Sequence, residues 1–381
     1  MKRGLYFIAC SGMCAAQFAH AQSSVTLYGL LDAGLQYTNN VGKGGSLFRQ
    51  TTGNVNGSRF GLRGKEDLGG GLGAIFVLEG GFNINNGKSA QDGRLFGRQA
   101  FVGLNSTKYG TVTLGRQYDA LTDTLIPLSA TSINFGDTAF AHPFDNDDMI
   151  HSYRLSNTVK YTSLVYSGLK FEAQYAFSNS TDFAVNRAYS AGLAYSKGPL
   201  NAGIAYFQLN GTKNTTINSP GALDVNETQA NNTAGFVLGA DVQRIAGAGV
   251  SYEIGKATLG FVYTHTQFQG STSFGSQNGT VRFDNYELNG KYQVLPQLTF
   301  GAEYVFTNGH VTKTSTFGSS PKWNQIGLQT VYSLSKRTDV YLEGVYQHVS
   351  GHNFSAFIYN SGGASSTGNQ IVGMMGMRAR F

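Results

Sequence analysis

Residues 373–381 read "GMMGMRARF", and taken at period two they sort into two unlike faces. Together with the preceding residues, Ile371, Gly373, Met375, Met377, Ala379 and Phe381 fall on one side. Arg378 and Arg380 fall on the other. That is a strand with one greasy and one cationic side, so it separates two different media. The same alternation recurs along the chain. "VTLYGLLDAGLQY" (25–37) sets Val25, Leu27, Leu31, Leu35 and Tyr37 against Thr26, Tyr28, Asp32 and Gln36. "KFEAQYAF" (170–177) sets Phe171, Ala173, Tyr175 and Phe177 against Glu172 and Gln174. "LTFGAEYVF" (298–306) and "DVYLEGVYQ" (339–347) set aromatic and aliphatic residues against Glu303, and against Asp339, Glu343 and Gln347. Each run is ~9–13 residues, longer than the ~5–6 of soluble sheets and suited to a tilted membrane strand. Tyrosine recurs at the ends of the apolar faces, where interfacial girdles sit.

Composition points the same way. Charged residues make up only 13% of the 381, while glycine (51) and aromatics (13%) are abundant; soluble domains carry about 25% charge. No apolar run after the first 21 residues approaches the ~18 that a spanning helix needs. An aromatic, glycine-rich chain without a hydrophobic block crosses a bilayer only as a closed barrel, where every backbone group finds a partner.

Residues 1–21 read as an export signal. Lys2 and Arg3 form the basic start, "GLYFIACSGMCAA" the apolar centre, and "AHA" (19–21) a small-x-small cleavage site before Gln22. Cys10 and Cys14, the only cysteines, leave with it; Met13 before Cys14 does not suit a lipidation box. Loss of Lys2 and Arg3 lowers the formal charge from +6 to +4. The mature chain, 22–381, is then expected to be one domain with no disulfide and no cysteine metal site.

The connections alternate in length. Short ones fall at 66–71, 106–110, 163–168, 196–199, 254–256, 294–297 and 334–338, and long polar ones at 39–56, 84–93, 117–153, 178–186, 210–235, 269–280, 308–322 and 350–368. Seven short and eight long connections imply about sixteen antiparallel strands, the even number of bacterial outer-membrane barrels.

Several stretches resemble the general diffusion porins of Gram-negative outer membranes, in particular the betaproteobacterial trimeric type. They are "SSVTLYGLLDAGLQY" (23–37), "GSRFGLRGKEDLGGGLGAIFVLEGGF" (57–82), "RQAFVGLNSTKYGTVTLGRQYD" (98–119), "LSKRTDVYLEGVY" (334–346) and "MGMRARF" (375–381). The resemblance implies a homotrimer of sixteen-stranded barrels in a lipopolysaccharide-bearing outer membrane. It also implies that the third loop, here 117–153, folds into the lumen as a constriction. It marks Phe381 as a signal for the assembly machinery. The function so implied is passive diffusion of ions and small hydrophilic solutes through a water-filled pore.

Within 117–153 lie Asp119, Asp123, Asp137, Asp145, Asp147 and Asp148. "NFGD" (134–137) resembles the family's loop tip in Phe135 and Gly136, with Asn134 where an acid is usual. A loop this long in a compact fold needs a function, and its acids are expected to face a basic wall. That wall, by resemblance, is Arg59, Arg98 and Arg154. Parity independently groups Arg59 with Arg63 and Lys65, and Arg154 with Ser156, Thr158 and Lys160, but says nothing for Arg98. A charge facing lipid at the midplane costs ~2–4 kcal/mol, so the lumen is the physical default. Opposed charges across a water-filled slot set ion preference. Leu30 stands where some relatives carry lysine, and Glu79, Glu172, Glu303 and Glu343 face inward, so the expected preference is weak and slightly towards anions.

Other signals carry less. "DNDD" (145–148) with His142 and His151 nearby lacks the glycine and bidentate glutamate of a calcium loop, so no metal is expected. "DLGGGLG" (67–73) fails the spacing of a nucleotide turn, no cofactor is implied, and the scattered bases do not form a nucleic-acid patch. His265 and His348 lie near strand ends without a G-x-S-x-G motif, which disfavours a barrel hydrolase on the outer wall. A substrate-specific channel for a sugar or organic anion is the rival reading on the same fold.

Overall fold

The computed structural model describes residues 24–131, 138–152, 154–211, 221–223 and 240–381. Its strands begin with β1 (Ser24–Val41), β2 (Gly45–Thr52), β3 (Arg59–Gly69), β4 (Leu72–Gly81), β5 (Gln99–Ser106) and β6 (Gly110–Gln117). The middle of the chain gives β7 (Leu155–Thr162), β8 (Leu169–Ala176), β9 (Arg187–Lys197), β10 (Leu200–Asn210), β11 (Val242–Ile254) and β12 (Ala257–Ser271). The remainder are β13 (Gly279–Leu295), β14 (Leu298–Val311), β15 (Lys322–Ser333), β16 (Thr338–Ser350) and β17 (Asn369–Arg380).

All pair antiparallel in one sheet, and β1 also pairs with β17, which closes the sheet on itself. β2 and β3 both run along β1, β2 against Ala33–Val41 and β3 against Ser24–Leu30. They are two halves of a single stave, so the barrel has sixteen staves. Closure leaves no unpaired edge, which lipid could not satisfy.

The expected long connection at 39–56 needs correction. Most of it is strand, and the chain reverses at 42–44, where Gly42 and Gly44 take positive φ values of 62° and 95°. The polar composition of 45–52 suggested a loop, but the ladder with β1 extends through it. The stave then breaks at 53–58, where Asn54, Val55 and Asn56 turn into the interior.

Period-two patterning holds on the staves. On β14, Phe300 and Tyr304 are exposed while Glu303, Val305 and Thr307 are buried. On β16, Leu342 and Tyr346 are exposed while Asp339, Glu343 and Gln347 are buried. Exposed aliphatic and aromatic side chains thus face outward and polar ones inward, the reverse of a soluble sheet.

At the seam, Leu30 to Thr38 pairs with Arg380 to Val372. Gly29 and Phe381 exchange backbone hydrogen bonds of 3.0 Å, and the Phe381 ring lies over Gly29, where a Cβ would collide with it. The two arginines of the opening stretch are not simply in water. Arg378 is buried, with Nε 3.0 Å from Asp339 Oδ1, and Arg380 Nη1 lies 2.7 Å from Asp339 Oδ2. A carboxylate on the neighbouring stave claims both, which residue spacing alone does not reveal.

The core lies against the buried face of the wall, around segment 118–154. Leu121, Leu125, Ile126, Leu128 and Met149 cluster with Leu155, Phe207, Ile245 and Val262 of the staves. On the other side Ala130, Ala139 and Phe140 meet Val345, Ile358, Val372 and Met374.

Candidate functional site

Segment 118–154 opens with the helix Ala120–Leu125. Asp119 caps it, accepting from the amides of Leu121 (2.8 Å) and Thr122 (3.0 Å), which satisfies donors the helix cannot. Gly247 of β11 makes room for the helix: a Cβ there would stand 2.5 Å from Leu125 Cδ1.

Beyond the helix the chain is stitched to inward side chains of the wall. Glu287 of β13 accepts from the Ala130 amide (2.6 Å) and Ser129 Oγ (2.7 Å). His142 bridges Asp147 (Nδ1, 2.6 Å) and Glu287 (Nε2, 3.1 Å), all three fully buried. Gln325 Nε2 donates to Ala141 O (3.1 Å) and Gln243 Nε2 to Asn146 O (3.2 Å). At the stave break, Thr138 donates to Asn54 O through its hydroxyl (2.9 Å) and its amide (3.3 Å). Burial works to depress the His142 pKa, but the carboxylates of Asp147 and Glu287 outweigh it and hold it well above the usual imidazole range.

The stitched segment leaves a cavity of about 370 Å³ against β3, β4 and the start of β5. Arg59, Arg98 and Arg154 all line it, with Glu79 as the single acidic residue among the described residues of that lining. Arg98 Nε lies 2.7 Å from Glu79 Oε1 and its Nη2 donates to the Tyr118 hydroxyl at 2.8 Å. Arg59 Nε lies 3.8 Å from Glu79 Oε2, to which Tyr28 donates at 3.0 Å. The Arg154 guanidinium carbon sits 5.2 Å from the Tyr118 ring centre, a cation–π distance. The positive potential marks its neighbours. Burial, with the charges of Arg154 and Arg98 behind it, pushes the His151 pKa down to about 3. For Tyr118 burial works upward, yet the same two arginines bring its phenol below the ordinary value.

Arg98 immediately precedes β5, with its amide bonded to Glu79 O at 3.1 Å; both faces of that strand are apolar, so parity could not place it. The structure does not bring the other expected residues to this cavity. Arg63 is exposed and lies 5.3 Å from the Tyr28 ring centre. Lys160 pairs with Asp123, and with Glu172 at 3.5 Å, beside the helix. Asp119 is spent as a cap. Asp145 accepts from the Ile150 amide (3.2 Å) and from Ser152, Asp147 holds His142, and Asp148 is buried in the same turn. Asp137, Asn134, Phe135 and Gly136 lie outside the described residues. Among the described residues, the carboxylate that meets Arg59 and Arg98 is Glu79 of the wall.

Sequence reasoning missed Arg116 and Glu287. Arg116 is buried and donates to Gly97 O (2.7 Å), Arg154 O (2.9 Å) and Ser156 Oγ (2.8 Å), so it props the turn that carries Arg154. The register of β6 slips at Gly115, where φ is 135°; that glycine was the signal in the sequence. Glu287 sits in an ordinary alternating strand, and nothing local distinguishes it from other inward acids.

The chain matches the Gram-negative porin family over residues 8–352. It is 34% identical over 368 residues to an outer membrane porin protein of Bordetella pertussis, covering 86% of this chain and 90% of that protein. It is 30% identical over 350 residues to outer membrane porin protein 32 of Delftia acidovorans, covering 90% and 88%. Among solved structures it is similar to an anion-selective porin from Comamonas acidovorans, with a TM-score of 0.75, 25% identity, and coverage of 94% and 100%. With its closed barrel of alternating faces, the chain belongs to the Gram-negative porin family, as a channel of the bacterial outer membrane for passive diffusion.

Proposed function

We propose that the arginine-lined cavity is the selectivity constriction of this channel and that it favours small anions weakly. The observation that carries the reading is the convergence of Arg59, Arg98 and Arg154 on one cavity whose lining, among the described residues, holds a single carboxylate, Glu79. Three positive charges against one negative raise the local anion concentration in a water-filled slot. Glu79 partly neutralises two of the three, and Leu30, opposite Arg59 on β1, adds no further charge; both keep the preference weak. The solved neighbour from Comamonas acidovorans carries the description anion-selective, which supports the same sign. Segment 117–153 is the constriction loop in this reading, and of its described acids Asp119, Asp145 and Asp147 serve to fix it. Reversal potentials in a salt gradient test this, and a cation-selective channel would refute it.

The mature chain is one domain, 22–381, after removal of residues 1–21, and three copies assemble. The outward groove of about 580 Å³ over Gly373, walled by Leu35, Tyr37, Phe48, Leu342 and Met375, offers an apolar seat for a neighbouring subunit. Phe381, at the closing seam, serves the assembly machinery. No catalytic role is assigned.

A further inference from the structure

The outer wall carries polar side chains that the channel does not use. Gln208 of β10 stands opposite Arg244 of β11, which stands opposite Gln267 of β12. Gln267 stands opposite Arg282 of β13, and Arg282 opposite His310 of β14. Five consecutive staves thus present one row with two arginines, no acid and no apolar residue. The row faces outward: the residues following it on β11–β14, Ile245, Phe268, Phe283 and Val311, are buried on the opposite face. It also lies at the end of the barrel bearing the long connections, which in such barrels is the extracellular side.

Its height follows from the register. Four residues below Arg282 on β13 is Tyr286, in a row with Tyr263 and Phe306. One row lower come Val250, Phe261, Leu288 and Tyr304, all exposed. This is the upper edge of the apolar band with its aromatic girdle. Four residues along a strand tilted by ~40° rise about 10 Å, which carries the arginines out of hydrocarbon and into the headgroup layer.

The two guanidiniums are prepared differently. Arg244 is held against the wall by two amides, Nε to Gln208 Oε1 (3.1 Å) and Nη1 to Gln269 Oε1 (3.0 Å). Its Nη2 makes no hydrogen bond among the described residues. Arg282 makes no hydrogen bond or ion pair among the described residues, and its Nε is shielded from water without an acceptor. The acid two residues further along β13, Asp284, is otherwise engaged: its Oδ1 accepts from Tyr263 (2.9 Å) and meets His265 Nδ1 (2.7 Å). A buried donor without an acceptor is unfavourable, and the guanidinium fork matches phosphate oxygens. The arginines are two staves apart, about 10 Å, a span that one bisphosphorylated headgroup covers.

We propose that Arg244 and Arg282 form a lipid-facing site for the phosphates of an outer-leaflet lipid headgroup. The aromatic row below the site packs the upper acyl region, and the guanidiniums hold the phosphates above it.

The test uses the folded full barrel in neutral-detergent micelles, titrated with lipid A and followed by native mass spectrometry. Wild type should retain lipid A and not phosphatidylcholine. R244Q/R282Q should raise the half-saturating lipid A concentration roughly tenfold or more, with unchanged conductance proving that the barrel is intact. R244K/R282K, which keeps charge but loses the fork, should fall between the two. Should the double glutamine variant not fold, R282Q alone serves, with a smaller weakening. Equal lipid A retention by wild type and glutamine variants would overturn the site. Inorganic phosphate bound by wild type while lipid A is not would overturn the lipid assignment.

Discussion

Arg98 Nε lies 2.7 Å from Glu79 Oε1, and that pair sets the electrostatics of the slot. Glu79 shares its second oxygen between Tyr28 at 3.0 Å and the more distant Arg59 at 3.8 Å. The wall supplies both signs of charge; under the proposed reading, the one carboxylate among the described residues of the slot tempers three guanidiniums.

Glu79→Gln should therefore raise anion preference. Arg98 and Arg59 lose the negative charge between them, while the amide still accepts from one guanidinium. Folding stability should drop by about 1.5–3 kcal/mol, the usual range when a hydrogen bond to a charged group is lost. Chloride-to-potassium permeability ratios in planar bilayers check this; an unchanged or smaller ratio would count against Glu79 as the neutralising group.

Arg116→Met should act on selectivity without touching the slot. Arg116 donates to the backbone carbonyl of Arg154 and to Gly97 O, and losing it leaves buried carbonyls unpaired. The expected outcome is a fall in anion preference in the same direction as Arg154→Gln but smaller, together with noisier open-channel current. Quiet wild-type currents from the variant would mean that Arg154 needs no such support.

The loop should hold more firmly in acid than in base. His142 has a folded-state pKa raised above its unfolded value of about 6.5. Its contribution is complete below about 6.5 and fades as pH climbs through the raised value. Asp145 works in the same direction: burial first, then the charge of Asp147, raises its pKa well above the ordinary carboxylate, so protonation favours the folded loop. Current noise and subconductance events should increase towards alkaline pH, and His142→Asn should show them already at neutral pH. Noise that grows instead on mild acidification would contradict the latch.

Gly247→Leu tests the bed on which the loop rests. A Cβ there already stands 2.5 Å from Leu125 Cδ1, and overpacking of this kind costs about 1–3 kcal/mol. The barrel should still insert, but the helix Ala120–Leu125 must shift, giving altered and heterogeneous single-channel conductance. A homogeneous wild-type conductance would show that the helix does not depend on that clearance.

Phe381 deletion should reduce the amount of protein in the outer membrane more than it changes the conductance of the channels that form. The residue contributes a backbone pair with Gly29 and a ring over that glycine, both at the rim rather than in the slot. Normal surface levels of the truncated chain would remove the assembly role.

The barrel was legible in residues such as Phe300, Tyr304 and Glu303, because alternation between lipid and water is a local, period-two signal. It failed at 39–56, where the polar residues of 45–52 look like a loop although their ladder with β1 continues. In the site, Arg59 and Arg154 were legible from parity, since the strand that each one opens or precedes alternates polar and apolar faces. Arg98 was not, because both faces of the strand after it are apolar. The described loop acids misled for a different reason: Asp145, Asp147 and Asp148 are polar residues in a polar-looking segment, yet all three are buried, Asp147 against Thr264 and Asn285 of distant staves and Asp145 against Ile150 and Ser152 of its own segment. No local pattern encodes those partners.

The reversal potential of wild type and of R59Q/R98Q/R154Q, measured in the same KCl gradient, tests the central claim most directly. Wild type should give a small potential of anion-selective sign. The triple variant, left with Glu79 as the acidic group among the described residues of the slot, should give the opposite sign. A cation-selective wild type, or a triple variant indistinguishable from it, would contradict the assignment of this slot as the element that selects.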